Sequence, residues 1–390
     1  MEQYLGYSES DLQKLSGYWT AKEISQQPDC WAQTAAITRE CEAQIKCFMD
    51  KVYSYPNLRI ILTGAGTSAF AGRSLALGLS QRLQRRVEAI STTDIVSNPN
   101  QCFAENIPTL LVSFARSGNS PESVAAVELA NQSLAECFHL VLTCNADGQL
   151  YKRCKNDKQS FALLMPSETN DQSFAMTSSF SSMMVAAFSV LMYGNAYTKE
   201  IESICKCSAG LIKDLNTKIQ DTANQELERV IYLGSGGLQG LAQESALKLL
   251  ELTAGKVVAT YDSPLGFRHG PKSIVNKNSM IVVFISNDPY TRKYDLDLLA
   301  ELCRDNIAAR VVAITAQADE LETRADVIRV EGMENATDVE LLFPYMLYAQ
   351  MYSFHRALAL GNTPDNPCPT GEVNRVVQGV TIHYLYDYLK

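Results

Sequence analysis

The sequence predicts an α/β protein of two successive doubly wound parallel sheets, each flanked by helices. Three observations carry this prediction. Short apolar runs alternate with longer helical patterns along most of the chain. The runs end in glycine- or serine-bearing loops that lead straight into helices. The pattern also occurs twice: Leu62-Thr63-Gly64-Ala65-Gly66-Thr67-Ser68 is paralleled by Leu233-Gly234-Ser235-Gly236-Gly237.

In chain order, the first thirty residues read as polar and irregular, and a long helical pattern runs from Cys30 to Val52. Strands are expected at Arg59–Thr63, Thr109–Phe114, Phe138–Thr143 and Phe161–Met165. Helices lie between them at Ser68–Gln84 and Pro121–Gln132, and Ala175–Tyr193 follows as a third. A charged helix at Glu200–Glu226 opens the second round. Its strands are Val230–Leu233, Met280–Ser286, Arg310–Thr315 and Val327–Val330, and its helices Leu238–Ala254, Asp295–Asp305 and Val339–Leu360. The expected division is an extension over 1–34, a first domain over 35–205, a second over 206–360, and a tail over 361–390 that closes the site.

The loop Ala115-Arg116-Ser117-Gly118-Asn119-Ser120-Pro121 closes an apolar run and opens a helix. Ser120 fits the N-cap and Pro121 the first helical position, where proline's missing N–H costs nothing. Backbone N–H groups, hydroxyls and a positive helix end then surround one point, which suits a phosphate monoester. The stretch lacks the lysine and Ser/Thr that follow a triphosphate-binding loop. Gly64-Ala65-Gly66-Thr67-Ser68 is a second glycine turn into a helix; with Asp94 downstream it leaves a nucleotide reading open, and as a mere tight turn it would need no ligand. The second half has Ile285-Ser286-Asn287-Asp288-Pro289-Tyr290 in place of the serine loop, so only the first half reads as equipped for phosphate.

Glu244, Lys248 and Glu251 share one helix face by their spacing. The triplet is either a solvated salt-bridge ladder or a carboxylate held beside an ammonium as a general base. Among four histidines, His139 and His355 sit in periodic patterns and His383 near the end. His269, in the loop Phe267-Arg268-His269-Gly270-Pro271-Lys272, is the candidate for acid–base work.

The formal net charge of −9 argues against nucleic acid as a partner. With no basic-then-apolar leader and no run of membrane-spanning length, the cytoplasm is the expected compartment and no membrane is involved. The 11 cysteines are scattered without zinc-site spacing, so neither metal nor disulfide is expected.

Together these segments resemble the sugar isomerase (SIS) family, in particular the tandem isomerase part of glucosamine-6-phosphate synthase. The shared strings are Gly64–Ser68, Ala115–Ser120, Glu168 with Ala175-Met176-Thr177-Ser178, Glu244–Glu251 and His269-Gly270-Pro271. The branch that deaminates and isomerises galactosamine 6-phosphate is more similar still, through Arg116–Ser123, Phe267–Lys272 and Asn374–Val380. The resemblance implies two tandem SIS domains, with phosphate and substrate on Gly66, Thr67, Ser68, Arg116, Ser117, Ser120, Thr177 and Gln378. It implies Glu251, with Lys248, as the proton-transfer carboxylate and His269 as the ring-opening group, and it requires no cofactor. In the synthase that histidine comes from a neighbouring subunit, so a homodimer or higher oligomer is implied. Arg116 and Gln378 replace the synthase's glutamine and lysine. Met1 is not followed by the synthase's ammonia-generating cysteine, so release of nitrogen is expected rather than uptake. Simple aldose–ketose isomerisation, glucosamine-6-phosphate deamination and sugar-phosphate sensing are the alternatives.

Overall fold

A computed structural model describes residues 3–155, 157–194, 198–317, 321, 325–377 and 379–385. The chain forms two compact units. One comprises Cys30–Asn170, Ser178–Tyr197 and Gly371–Lys390; the other comprises Met1–Asp29, Asp171–Thr177 and Thr198–Thr370.

The first unit is built on a five-stranded sheet in the spatial order Val87–Ala89, Arg59–Thr63, Thr109–Ala115, Cys137–Thr143, Ser160–Leu164, with every pair parallel. Each residue of the three central strands is buried, as expected where helices cover both faces of a sheet. Val112, Phe138 and Leu140 have no exposed surface, and burying each such side chain contributes roughly 1.5–3 kcal/mol. The chain turns in opposite directions from the Arg59–Thr63 and Thr109–Ala115 strands. Their carboxyl ends therefore flank the switch point at which ligands bind in such sheets.

The second unit repeats the plan, in the order Asp326–Arg329, Arg310–Thr315, Ser279–Phe284, Arg229–Gly234, Val258–Asp262, again parallel throughout. Its switch point lies between the Arg229–Gly234 and Ser279–Phe284 strands. The Gly237–Leu252 helix packs between this sheet and the long Asp338–Ala359 helix.

Two expectations are corrected. Residues 3–30 are not irregular: they form a small hairpin (Gln3–Tyr4 with Tyr7–Ser8) and helices at Glu9–Lys14 and Tyr18–Ser25 that bury Leu12, Ala21 and Ile24. The Cys30–Val52 helix is two helices, Gln27–Glu40 and Glu42–Tyr53, broken at Cys41, whose ψ of 7° departs from helical geometry. The short strands Val87–Ala89 and Val258–Asp262 have no counterpart in the predicted elements.

Candidate active site

In the first unit, Thr63 pairs with Ser113, so the two loops that follow leave the sheet side by side. Gly66 caps the Thr67–Leu83 helix at φ 55°, ψ −127°, a conformation that favours glycine. Thr67 and Ser68, in the first turn, are nearly buried. Ser120 occupies the N-cap of the Pro121–Ser133 helix, as the sequence indicated. Its hydroxyl, however, donates to Ser123 Oγ at 2.6 Å and makes no side-chain cap bond. The serine loop is clamped from the next crossover. Asn145 Nδ2 donates to the Ser117 carbonyl at 2.9 Å, Leu150 N–H to the Gly118 carbonyl at 3.2 Å, and Gln149 N–H to Asn119 Oδ1 at 3.0 Å. Two helix N-termini, several hydroxyls and the buried Arg116 thus follow adjacent strand ends at the switch point, a set of groups suited to a phosphate dianion.

In the second unit, Glu244 and Lys248 are each 1 % exposed at the side chain and Glu251 is 22 % exposed. The solvated-ladder reading is therefore corrected: the helix is covered on two sides, and this face points inward. Lys248 Nζ lies 3.5 Å from Glu244 and bonds Glu251 directly. Burial opposes the ammonium, but the two carboxylates outweigh it and hold the Lys248 pKa above its ordinary value. Lys248 thus stays charged and steadies Glu251 at the edge of solvent. Glu251 is in the last turn of its helix, about 20 Å along the axis from the glycine turn of its own half.

His269 is exposed on a braced loop. Ser263 caps the short Pro264–Phe267 helix through Gly266 N–H at 3.1 Å, and Phe267 is sunk in the core. Arg268 bridges Glu301 at 2.9 Å, and Lys272 bonds both Glu301 and Asp305. The backbone is fixed while the imidazole projects outward. His139 and His355 bond Asn131 and Asn216 at 2.7 and 2.8 Å. Burial holds each of these two imidazoles down to about 4, so both are neutral and structural at pH 7.

Residues 55–192 and 225–360 each match the SIS domain. The chain belongs to the SIS domain family. It is 48% identical over 371 residues to the D-galactosamine-6-phosphate deaminase AgaS of Escherichia coli, spanning 94% of this chain and 96% of that one. The same-named protein of Shewanella sp. (strain ANA-3) is 44% identical over 382 residues, 96% of this chain and 94% of that one. The crystal structure of tagatose-6-phosphate ketose/aldose isomerase from Escherichia coli superposes with a TM-score of 0.89 at 45% identity, covering 95% of this chain and 97% of that one.

The two SIS domains furnish their crevices differently, which the sequence signalled only as a missing serine loop. Gly236 caps its helix at φ 58°, ψ −126°, nearly the geometry of Gly66. In the second domain, however, Asp295 accepts from Ser235 Oγ at 2.5 Å and from Ser286 N–H at 2.9 Å. Asp338 accepts from Ser286 Oγ at 2.5 Å and from Asn287 N–H at 2.8 Å. Burial pushes the Asp295 carboxyl up to about 6 despite these donors.

Thr177 is placed by contacts that sequence patterns do not reveal. Its N–H donates to Asp171 Oδ2 at 2.9 Å, and the same loop is tied to Glu23, which accepts from Ser173 Oγ at 2.5 Å and from Gln172 N–H. Burial, with Asp171 adding to it, pushes Glu23 up to about 8. Gln378 lies outside the described residues. Among the described residues, no helix is long and apolar enough to cross a membrane.

Proposed function

We propose that this SIS protein converts galactosamine 6-phosphate to tagatose 6-phosphate and ammonia. The observation that carries the reading is that Lys248, buried in the second domain, braces the carboxylate of Glu251 at the edge of solvent, while the first domain holds a clamped loop of hydroxyls and an arginine. The names of the relatives at 44–48% identity over nearly the full chain support the amino sugar as substrate.

In this reading the stretch 35–205 holds the phosphate through the loops carrying Gly66, Thr67, Ser68, Arg116, Ser117 and Ser120, with Thr177 and Gln378 as further substrate contacts. The stretch 206–360 carries out proton transfer, and 361–390 closes over the substrate. His269 assists opening of the pyranose, exposing an aldehyde at C1 beside the amine at C2. Glu251 removes the C2 proton as O1 takes up a proton, giving an enol with the amine still attached. The protonated Glu251 returns its proton to C1 while the nitrogen gives one up, which leaves an imine at C2. Water hydrolyses the imine to the ketose and ammonia. Lys248 stabilises the ionised Glu251 before abstraction. Protons move at every step, while ring opening breaks the C1–O5 bond and water replaces the C2–N bond by C2–O; positioned acids and bases serve all of these.

A second copy of the chain fits the surface around His269. Val258 and Tyr261 are exposed on the edge strand of the second sheet, with Leu250 and Leu265 exposed nearby in sequence, and unpaired strand edges of this kind are natural sites of association. A dimer formed there would bury this apolar surface and carry His269 toward the neighbouring subunit. A cytoplasmic location accords with such a metabolic reaction.

The test is ammonia release from galactosamine 6-phosphate by the wild type and by Glu251→Gln. The variant is expected to lose roughly 10²–10⁴-fold in kcat with little change in phosphate binding. Release at the wild-type rate would sink the assignment of the base. Interconversion of tagatose 6-phosphate and galactose 6-phosphate, with no ammonia from galactosamine 6-phosphate, would favour the simple isomerase, the activity named for the Escherichia coli structure.

A further inference from the structure

We propose that Arg116 is a positioning residue that fastens the C-terminal segment to the anion-binding loop, so that occupancy of the loop and order of that segment are linked. The proposal rests on the phosphate reading above. Arg116 immediately follows the Thr109–Ala115 strand, and its main chain is fixed, because its carbonyl accepts from Cys144 N–H at 3.2 Å and Thr143 Oγ1 at 3.4 Å. From that fixed point the nearly buried guanidinium donates through Nη2 to the carbonyl of Arg375 at 2.8 Å. Arg375 is therefore one arginine side chain away from Ser117.

The placement of the rest of the segment agrees. Residues from Gly371 onward belong to the unit of the first sheet, although they follow the second sheet in sequence. Leu385 packs against the apolar cluster that contains Leu111, Ala115 and Ala126, beneath the serine loop. The segment is thus held through a polar attachment at Arg375 and an apolar one at Leu385, while residues 371–375 are exposed.

The chemistry explains why arginine serves here. A guanidinium has five N–H donors in a rigid plane, so one nitrogen can hold a carbonyl while another faces an oxyanion. A lysine ammonium has no such fixed division of donors. An anion that engages Arg116 stiffens the side chain on which Arg375 hangs, and by reciprocity an ordered segment favours the anion-ready rotamer. The segment belongs to the same unit as the loop, so Arg116 would act on turnover through the segment as well as on phosphate affinity.

Hydrogen exchange read by mass spectrometry on the intact protein, with and without saturating inorganic phosphate, tests this. In the wild type, phosphate is expected to slow exchange in peptides covering 64–70 and 115–124 and also, about five-fold, in 371–385. In Arg116→Met, loop protection should return at higher phosphate, while 371–385 exchanges at least about five-fold faster than in the wild type and ignores phosphate. Arg116→Lys keeps the charge and should not rescue the segment. Its kcat should fall along with any rise in KM, whereas loss of a phosphate contact alone would raise KM only. A 371–385 segment as protected and as responsive in Arg116→Met as in the wild type would overturn the proposal. If Arg116→Met does not fold, the same peptides in Arg116→Lys decide between these two outcomes. Absence of protection at 64–70 and 115–124 in the wild type would instead reject the phosphate reading itself.

Discussion

The two SIS domains share a sheet order and a glycine turn of nearly identical dihedrals, yet their crevices have opposite chemistry. Aligned on the strand pairs Thr63 with Ser113 and Leu233 with Val283, the hydroxyl and cationic positions Thr67, Ser68, Arg116, Ser117 and Ser120 correspond to Gly237, Leu238, Ser286, Asn287 and Tyr290. In the second domain Asp295 and Asp338 already occupy the donors that a bound anion would use. The fold supplies the place, and a few side chains decide whether it accepts an outside anion or is filled by the protein's own carboxylates. In the proposed reaction the second domain, freed from holding phosphate, would contribute Glu251 from the far end of the helix that begins at its glycine turn.

The sharpest way to break this comparison is at the matched glycines. Gly66→Ala and Gly236→Ala meet no neighbour within 4 Å, so each carries the same backbone strain of about 1–3 kcal/mol. Urea midpoints should fall alike. Only Gly66→Ala should cost activity, by roughly 100-fold in kcat/KM, since distorting that turn misplaces the donors of a bound phosphate. Comparable activity losses in the two variants would show that the second crevice also takes part.

A smaller effect is expected at Ser68. Ser68→Ala removes one hydrogen bond to a charged group, worth about 1.5–3 kcal/mol, so KM should rise about ten-fold or more while kcat stays within a factor of about two. Steady-state kinetics with galactosamine 6-phosphate reads this directly. An unchanged KM would remove Ser68 from the cradle.

The smallest effect belongs to Asp295. Its carboxyl titrates near 6 in the folded protein against 3.8 unfolded, so the folded state binds the extra proton. Stability at this group is therefore highest below about pH 4 and falls as the pH rises through 6. Asp295→Asn cannot titrate, and its unfolding free energy should decline less than that of the wild type across this window, with KM unchanged. Denaturant titrations from pH 4 to 7 check the slope. A steeper decline in the variant would mean that the Asp295 carboxylate is stabilised by its surroundings.

Much of this was legible in the sequence because buried parallel strands are written as continuous apolar runs. Ile60–Leu62, Leu110–Val112 and Ile281–Val283 could hardly be read otherwise. The edge strands Val87–Ala89 and Val258–Asp262 were not legible, since partial exposure leaves them short and mixed in character. The N-terminal hairpin and its helices escaped for a related reason: their apolar residues are few, and they are fixed by distant partners such as Asp365, which accepts from Thr20 N–H at 2.8 Å. At the site, the glycine and serine loops announce themselves through local turn and cap chemistry. The burial of Glu244 and Lys248, the filling of the second crevice by Asp295, and the bond from Arg116 to Arg375 depend on tertiary placement. No spacing rule along the chain contains them.

The central claim is that the two domains divide the work, with one anion crevice per chain. Calorimetric titration of the Glu251→Gln protein with galactosamine 6-phosphate tests it most directly, because the substrate should survive the measurement. The account predicts one binding event per chain, lost when Ser68→Ala and Ser117→Ala are added and retained when Asp295→Asn is added. Two equivalent events per chain, or one that survives loss of both serines, would contradict it.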